Sequence, residues 1–330
     1  MKQPFISVII PVLSINNNIL LENLPTFKII KDKNFEVIIL PNTVSKKENT
    51  LQNKYPWLRL VPTNKITRPA QKRDIGARKA RGDILAFIDD DAYPTPKWLE
   101  SARTVFKKSN AAAVCGPGIL PRNANFWERV FDEILKTWIG SGGLAYRFIP
   151  QKKRFVDDYP SMNFLIKKDI FIKLGGFNSD FWPGEDSKLC EDLVYKNGGL
   201  IAYSPYVVIY HHRRNNLGGY LHQHGQYGYH RGAFFAHGDR NSRHLFYLVP
   251  SLFVLYLLSL LTLYGSVIMI IPLFLYTLLL STVFSSALKN TSNLKIAVVS
   301  TIVLFLMHIV YGVQFMKGLF IGTFKKEKIY

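Results

Sequence analysis

Over residues 5–120 the chain alternates short, strongly apolar runs with longer polar or amphipathic stretches. "FISVIIPVL", "FEVIIL", "LRLVP", "DILAFI" and "AAAVCGPGI" are β-rich and short enough to be buried strands. Between some of them lie "RPAQKRDIGARKARG" and "TPKWLESARTVFKKS", which have the length and polarity of helices covering a sheet. This alternation predicts an α/β domain with a mostly parallel sheet. Residues 121–200 continue it, with an amphipathic helix at "FWERVFDEILKTWIG" and a strand and short helix at "SMNFLIKKDIFIKLGGF". A helix closed by Gly198 follows at "LCEDLVYKNGG". The expected boundary of the domain is residues 1–210.

The pattern then changes twice. Residues 211–244 hold seven of the eight histidines and five arginines against one acid, Asp239. Aromatic and basic residues interleave there, as expected of a connector lying on an anionic headgroup layer. From Leu245 to Leu288, 44 residues carry no Asp, Glu, Lys, Arg or His. One helix of that length would run about 66 Å, roughly twice a bilayer's hydrocarbon core. Two spans are therefore expected, at about 245–264 and 267–287, turning at Gly265-Ser266. A third, 296–316, lies between Lys295 and Lys317, with His308 its one ionisable group. If 245–288 is a hairpin, the Lys289–Lys295 loop is cytosolic. A third span would then carry "KKEK" at 325–328 outward, against the positive-inside tendency, unless that segment is re-entrant or interfacial.

The opening "MKQPFISVIIPVL" reads as a first buried strand rather than a signal peptide, because its apolar run ends at Pro11. Cys115 and Cys190 have neither metal-type spacing nor a disulfide framework. The expectation is a multi-pass protein of the cell membrane with its α/β domain in the cytosol.

Composition sharpens one oddity. A chain of formal net charge +19 places Asp89, Asp90 and Asp91 together at the end of the apolar run "ILAFI". Adjacent carboxylates repel, and burial raises the cost of keeping each ionised, so a cation belongs there. Helix capping is the alternative, but the next helix has a start signal of its own in Thr95 and Pro96. Carboxylates at a strand's carboxyl end suit a hard divalent ion, Mg²⁺ or Mn²⁺, carrying phosphates. No Gly-x-Gly-x-x-Gly follows the first strand, so a dinucleotide-binding fold has no support. The basic excess clusters beside the spans and no recognition module is visible, so anionic lipids rather than nucleic acid are the expected polyanionic partner.

"SVIIPV", "KRDIGARKARGDILAFIDDD", "GGF" and "GEDSKLCEDL", in that order, resemble the family 2 glycosyltransferases over roughly residues 5–232. The resemblance implies a GT-A fold, a nucleotide-sugar donor, a divalent metal and inversion at the anomeric carbon. It puts Asp89 on donor and metal, Asp91 on metal, and Arg73, with Lys72 beside it, on the donor. Pro11, at the end of the first strand, is also on the donor side. Glu185 and Asp186 become the acceptor-side acidic pair, Asp186 being the preferred base. A carboxylate opposite the leaving group is what an attacking hydroxyl needs, although "WPGEDSKL" also reads as a helix cap. His211 becomes a candidate third metal ligand. "QYGYHRG" resembles the family's membrane-proximal segment, so Gln223, Tyr227 and Arg231 are candidates for acceptor or phosphate contact. His222 and His224 invite a zinc reading that no thiolate supports.

One departure stands out. After the second strand the family carries acids, the first of which contacts the nucleobase; here "VIILPNTVS" has Pro41 and Asn42. Asn42 can still hydrogen-bond a base edge. The expected reaction is transfer of a sugar to a hydroxyl acceptor, lipid-linked or another glycan. A polyprenyl-phosphate acceptor, a chain-extending synthase and a non-catalytic membrane scaffold are the alternatives.

Overall fold

The computed structural model describes residues 4–15, 18–30, 34–177, 184–262 and 267–324. It divides into two compact units, one from residues 1–119 and 149–211, the other from 120–148 and 212–330. Residues 120–148, assigned from their pattern to the α/β domain, thus belong to the second unit.

The first unit contains β1 (Ile6–Pro11), β2 (Phe35–Leu40), β3 (Leu58–Leu60), β4 (Ile84–Ile88), β5 (Ala92–Pro94), β6 (Ala113–Cys115), β7 (Gly118–Ile119), β8 (Arg154–Val156), β9 (Asn163–Lys167), β10 (Ile201–Tyr203) and β11 (Ile209–His211). The large sheet runs β3-β2-β1-β4-β9-β6-β10-β8. Strands β3, β2, β1 and β4 are mutually parallel, and β9 runs antiparallel between β4 and β6. A second sheet has the order β5-β11-β7. Strands β1, β2 and β4 are buried at every position, which explains their unbroken apolar runs: both faces are covered. The strand order reverses between β1 and β4, and ligands of such sheets bind beyond the carboxyl ends at that point.

The Pro69–Lys79 helix starts with proline at its first turn, where no donor is lost. It lies so close to β1 that a Cβ on Gly76 would meet Ile9 Cγ2 at 2.7 Å. The helix after the aspartates begins at Trp98, with Lys97 rather than Thr95 preceding it, and so corrects the start expected at Pro96. Thr95 instead donates its hydroxyl to Val208 O at 2.7 Å, bracing the segment after β5.

At the amino ends of the strands Glu36 is completely buried. It accepts from Ser7 Oγ and the Arg81 amide at 2.7 Å each, from Arg59 Nη1 at 2.7 Å and from Arg81 Nε at 3.0 Å. Burial alone would raise its pKa, but these donors outweigh it and hold the carboxyl below 4.5. The depressed value means stability present above the unfolded pKa and lost as pH falls through the folded one. Glu36→Gln should cost about 2–3 kcal/mol at neutral pH, less than a fully buried pair because both arginines stay partly solvated. The gap in thermal midpoint between variant and wild type should close as pH is lowered past 4.5.

In the second unit the Phe126–Leu135 helix is capped reciprocally by Asn125 and Glu128. Its apolar residues Val130, Phe131, Ile134 and Leu135 join Tyr220, Val283, Val303 and Leu304 in a separate core. Ile268–Thr291 and Leu294–Thr323 are long and apolar enough to cross a membrane, with mean hydropathies of 2.1 and 2.3. The Leu245–Ser259 segment is apolar but shorter than the 245–264 span expected. Gly265-Ser266 and "KKEK" at 325–328 lie outside the described residues. Leu294–Phe324 is one unbroken helix, without the interruption a re-entrant segment requires.

The connector forms a helix, Leu217–His237, that packs along Leu294–Phe324 through glycines. A Cβ on Gly228 would meet Tyr311 O at 2.5 Å, one on Gly232 would meet Phe315 O at 2.1 Å, and one on Gly318 would meet Tyr229 O at 1.9 Å. Small residues at this spacing let two backbones touch. Gly232→Val should therefore push the helices apart and lower the melting temperature of the detergent-solubilised protein by several degrees, at a cost of about 1–3 kcal/mol or more.

Candidate active site

The three aspartates follow β4 directly, and two of them meet a partner from the far end of the unit. β5 begins one residue after Asp91 and pairs antiparallel with β11, setting His211 opposite Ala92. His211 Nε2 is consequently 3.1 Å from Asp91 Oδ1 and 4.0 Å from Asp89 Oδ2. One ligand atom from each of Asp89, Asp91 and His211 falls within a 4.8 Å cluster. Two carboxylates and an imidazole, all half-buried, fit a divalent ion that accepts oxygen and nitrogen donors, with positions left for phosphate oxygens.

Arg73 lies behind this cluster, 4% exposed. Its Nη2 donates to Asp89 Oδ1 at 2.7 Å and its Nη1 to Glu185 Oε1 at 3.2 Å. The guanidinium also sits 5.5 Å from the Phe177 ring centroid. Gly175 and Gly176 have φ of 85° and 78°, a left-handed turn that suits glycine. The turn delivers the Phe177 amide to Asp74 Oδ1 at 2.9 Å. The "GGF" signature thus acts as a support: Asp74 pins the turn, and Phe177 underlies Arg73. Burial raises the pKa of Asp74, opposed by the Phe177 amide and by Arg78 and Arg73.

Glu185 and Asp186 open the Glu185–Glu191 helix after Gly184, whose φ of 126° only glycine adopts readily. The two acids then diverge. Glu185 is buried against Arg73, and burial followed by the charge of Asp186 raises its pKa while Arg73 opposes the rise. Asp186 is half-buried, with Oδ2 accepting from the Ser161 amide at 3.2 Å and Oδ1 from the Ser187 amide at 3.0 Å. Of the pair, Asp186 is the more exposed, and Glu185 accepts from Arg73.

Lys72, next to Arg73, points the other way. It is 1% exposed and donates to Val12 O at 2.5 Å, Leu40 O at 3.1 Å and Asn42 Oδ1 at 2.5 Å. Burial pushes its pKa down to about 8, with the Asp90 carboxylate opposing, so the ammonium persists at neutral pH. Pro11 is buried at the end of β1, in register with Leu40.

Gln223, Tyr227 and Arg231 lie in the second unit on the Leu217–His237 helix. Tyr227 is exposed. Arg231 donates to Ser242 Oγ at 2.9 Å and Asn241 O at 3.3 Å and lies over the Tyr247 ring, which is a bracing role. Part of the connector's basic character is internal in the same way. His212 Nδ1 is 2.6 Å from Glu128 Oε1, and Arg213 donates to Asp132 at 2.9 and 3.2 Å. Arg214, Arg240 and Arg243 are exposed. His222 and His224, two residues apart on one helix, point to different sides.

Three residues with no sequence signal of their own also shape the site: Asp74, Ser161 and Asn163. Asn163 is fully buried, accepts from Trp98 Nε1 at 2.9 Å and donates to Gly116 O and Val207 O at 2.6 and 2.8 Å. It ties β9 to the segment after β6, to the loop between β10 and β11 and to the helix that begins at Trp98.

Comparison with known proteins agrees with this architecture. A mannosyltransferase from Pyrobaculum calidifontis, solved with GDP-Man and Mn²⁺, superposes with a TM-score of 0.60 at 16% identity, covering 91% of this chain and 87% of that one. The shared fold is GT-A. The pre-mycofactocin glycosyltransferase of Mycobacterium tuberculosis is 27% identical over 160 residues, 48% of this chain and 33% of that protein. The glucosyl-dolichyl phosphate glucuronosyltransferase of Haloferax volcanii is 27% identical over 150 residues, 42% of this chain and 46% of the relative. The chain thus spans a third to a half of these relatives' lengths. The sequence model described as glycosyl transferase family 2 matches residues 7–175, half of the chain, and the protein belongs to that family.

Proposed function

We propose that this protein is a divalent-metal-dependent glycosyltransferase, moving a sugar from a nucleotide-sugar to a hydroxyl of a lipid-linked or other glycan acceptor, with inversion, at the cytosolic face of the cell membrane. The observation that carries this reading is the convergence of Asp89, Asp91 and His211 at the carboxyl end of β4, with Arg73 bound to Asp89. Mg²⁺ or Mn²⁺ held by these three would stabilise the negative charge that develops on a departing diphosphate. The Mn²⁺ and GDP-Man bound to the Pyrobaculum calidifontis enzyme are consistent with such a ligand pair.

The chain's own residues divide the remaining work. Asp89 and Asp91 keep their charge oriented toward the cation, Arg73 fixes Asp89, and Glu185 fixes Arg73. Asp186 is the group that takes the proton from the acceptor hydroxyl. Its partial exposure, against the burial of Glu185, favours that assignment. A lipid-linked acceptor is supported by the two apolar helices and by a relative named for glucosyl-dolichyl phosphate. A polyprenyl-phosphate acceptor is the second reading, because an anionic oxygen needs no base. A non-catalytic scaffold would have no use for the metal-type cluster beside an accessible carboxylate.

The test is to reconstitute the full chain in anionic liposomes containing extracted lipid-linked glycans, and to supply labelled nucleotide-sugars. Label should move into the organic-extractable fraction, with the new bond opposite in anomeric configuration to the donor. Label that stays water-soluble, or a product that retains the donor's configuration, would overturn the acceptor class or the inversion respectively.

A further inference from the structure

A third span would carry the basic end of the chain outward, against the positive-inside tendency. The neighbours of the Leu294–Phe324 helix bear on that conflict. Along its first half the neighbour is the segment 120–148. Lys295 Nζ lies 5.0 Å from the Phe126 ring centroid, Ser300 Oγ donates to Val130 O at 3.1 Å, and His308 Nε2 is 3.3 Å from Ile139 O. Both ends of residues 120–148 join the first unit. Each crossing of a bilayer takes about 20 residues, so this segment is too short to cross and return. It stays on the first unit's side, and it carries three acids, Glu128, Asp132 and Glu133.

Along the second half the neighbour is the Leu217–His237 helix. Tyr220 donates its hydroxyl to Met307 Sδ at 3.2 Å. Gly225, Gly228 and Gly232 lie against Val310, Tyr311 and Phe315, and Ala233 lies against Gly322. Positions rise together in both helices, so the two run parallel and side by side from Met307 to Gly322, about 22 Å. Where one crosses a bilayer, the other crosses with it. The Leu217–His237 helix is unfit to do so. It carries His222, Gln223, Gln226, His230 and Arg231, of which His222 is exposed and the others half-buried. A polar side open in this way belongs among water and headgroups rather than acyl chains.

The apolar surface points elsewhere. On the Leu294–Phe324 helix the exposed large apolar residues are Leu294, Val298, Ile302, Val313 and Phe320. Their spacings of 4, 4, 11 and 7 are whole numbers of turns, so they form one stripe rather than a full circumference. The Ile271–Thr291 helix runs antiparallel beside it, with the Tyr276 hydroxyl 2.9 Å from His308 Nδ1 and Asn290 donating to Glu133 at 2.8 Å. It exposes Phe274 and Leu278, and the Val249–Ser259 helix exposes Leu252, Leu255 and Leu258. Packed helix axes lie about 8–10 Å apart, so one further layer of helices fits within a single leaflet's hydrocarbon, about 15 Å deep.

We propose that the second unit is a one-leaflet anchor in which no helix crosses the bilayer. The acyl chains of the cytosolic leaflet cover the Val249–Ser259 and Ile271–Thr291 helices and the stripe of the Leu294–Phe324 helix, which lies along the membrane plane. The Phe126–Leu135 and Leu217–His237 helices sit at headgroup level. Lys325, Lys326 and Lys328 then stay on the first unit's side, and the positive-inside tendency is obeyed. The proposal goes beyond the sugar-transfer reading, and its tests read depth and sidedness rather than activity.

Full-length protein carrying Leu294→Cys, Ile302→Cys, Val313→Cys or Phe320→Cys, one at a time, is spin-labelled and reconstituted in vesicles of phosphatidylcholine and phosphatidylglycerol. Depth is read from collisions with oxygen and with a water-soluble nickel chelate. The four side chains are exposed, so the variants should melt near the wild-type temperature, and the native Cys115 and Cys190 are buried and should take no label. All four labels should lie at similar depth within one leaflet. Leu278→Cys should be deeper than His222→Cys, which should meet the nickel chelate. Labels at 294 and 320 near the headgroups with those at 302 and 313 near the midplane would overturn the proposal, because that is the profile of a crossing helix. So would a deeper label at 222 than at 278. Sidedness is read with the full chain fused after Tyr330 either to green fluorescent protein, which fluoresces in the cytosol, or to alkaline phosphatase, which is active outside it. Fluorescence without phosphatase activity is expected; phosphatase activity without fluorescence would overturn the proposal.

Discussion

An Asp186→Asn protein is expected to lose sugar transfer by about a thousandfold or more while binding its nucleotide-sugar nearly as tightly as the wild type. The side chain is held by the Ser161 and Ser187 amides, and an asparagine of the same shape can keep one of these bonds while losing the other together with the charge. A general base acts on the acceptor proton, and positioned proton transfer is worth about a hundred- to ten-thousandfold. On the proposed reading donor affinity rests instead on the cluster at Asp89 and Asp91, so the substitution should lower turnover without moving the donor's dissociation constant. The measurement pairs calorimetric donor binding with initial rates of transfer. Transfer at wild-type rates would reject Asp186 as base and favour an acceptor that attacks through an already anionic phosphate oxygen.

The second large effect belongs to Asp91. His211 Nε2 lies 3.1 Å from Asp91 Oδ1, so Asp91 is the residue that joins the β4 end to β11 as well as a candidate metal ligand. Asp91→Asn keeps volume and removes one charged oxygen. The expected loss of turnover is at least about a hundredfold, the size of one electrostatic stabiliser of a transition state. It should be accompanied by weaker Mn²⁺ affinity and partly relieved at high Mn²⁺ concentration. Full activity of the variant, or of the wild type in chelator, would remove the metal from the account.

The difference between what was legible and what was not has a consistent physical cause. Local patterns carry local structure: the five apolar runs became strands, and the aspartates stand where the β4 run stops. Pairings between distant segments leave no such trace. His211 reaches Asp91 only because β11 pairs with β5, and nothing near either residue in the chain announces that register. The same holds for Arg73 and Glu185, joined across the unit by a 3.2 Å ion pair. The Phe126–Leu135 helix shows an apolar face in its sequence, but a face does not say which core it will fill. Here that core is with Tyr220, Val303 and Leu304 rather than with the sheet. In the connector Gly225, Gly228 and Gly232, rather than the conspicuous basic residues, carry the packing, at the spacing one side of a helix requires. The start at Pro96 was misleading for a different reason: Thr95 spends its hydroxyl on Val208, and the helix waits until Trp98.

The most direct test of the central claim is release of nucleoside diphosphate. The full-length protein, with acceptor lipids present, is incubated with each of a panel of nucleotide-sugars in Mg²⁺, in Mn²⁺ and in excess chelator, and free nucleoside diphosphate is quantified. The account predicts turnover of one donor, or of a few sharing a base, in the presence of metal, and none in chelator or in the Asp91→Asn protein. Release that persists undiminished in chelator, or no release from any donor with either metal, would contradict it.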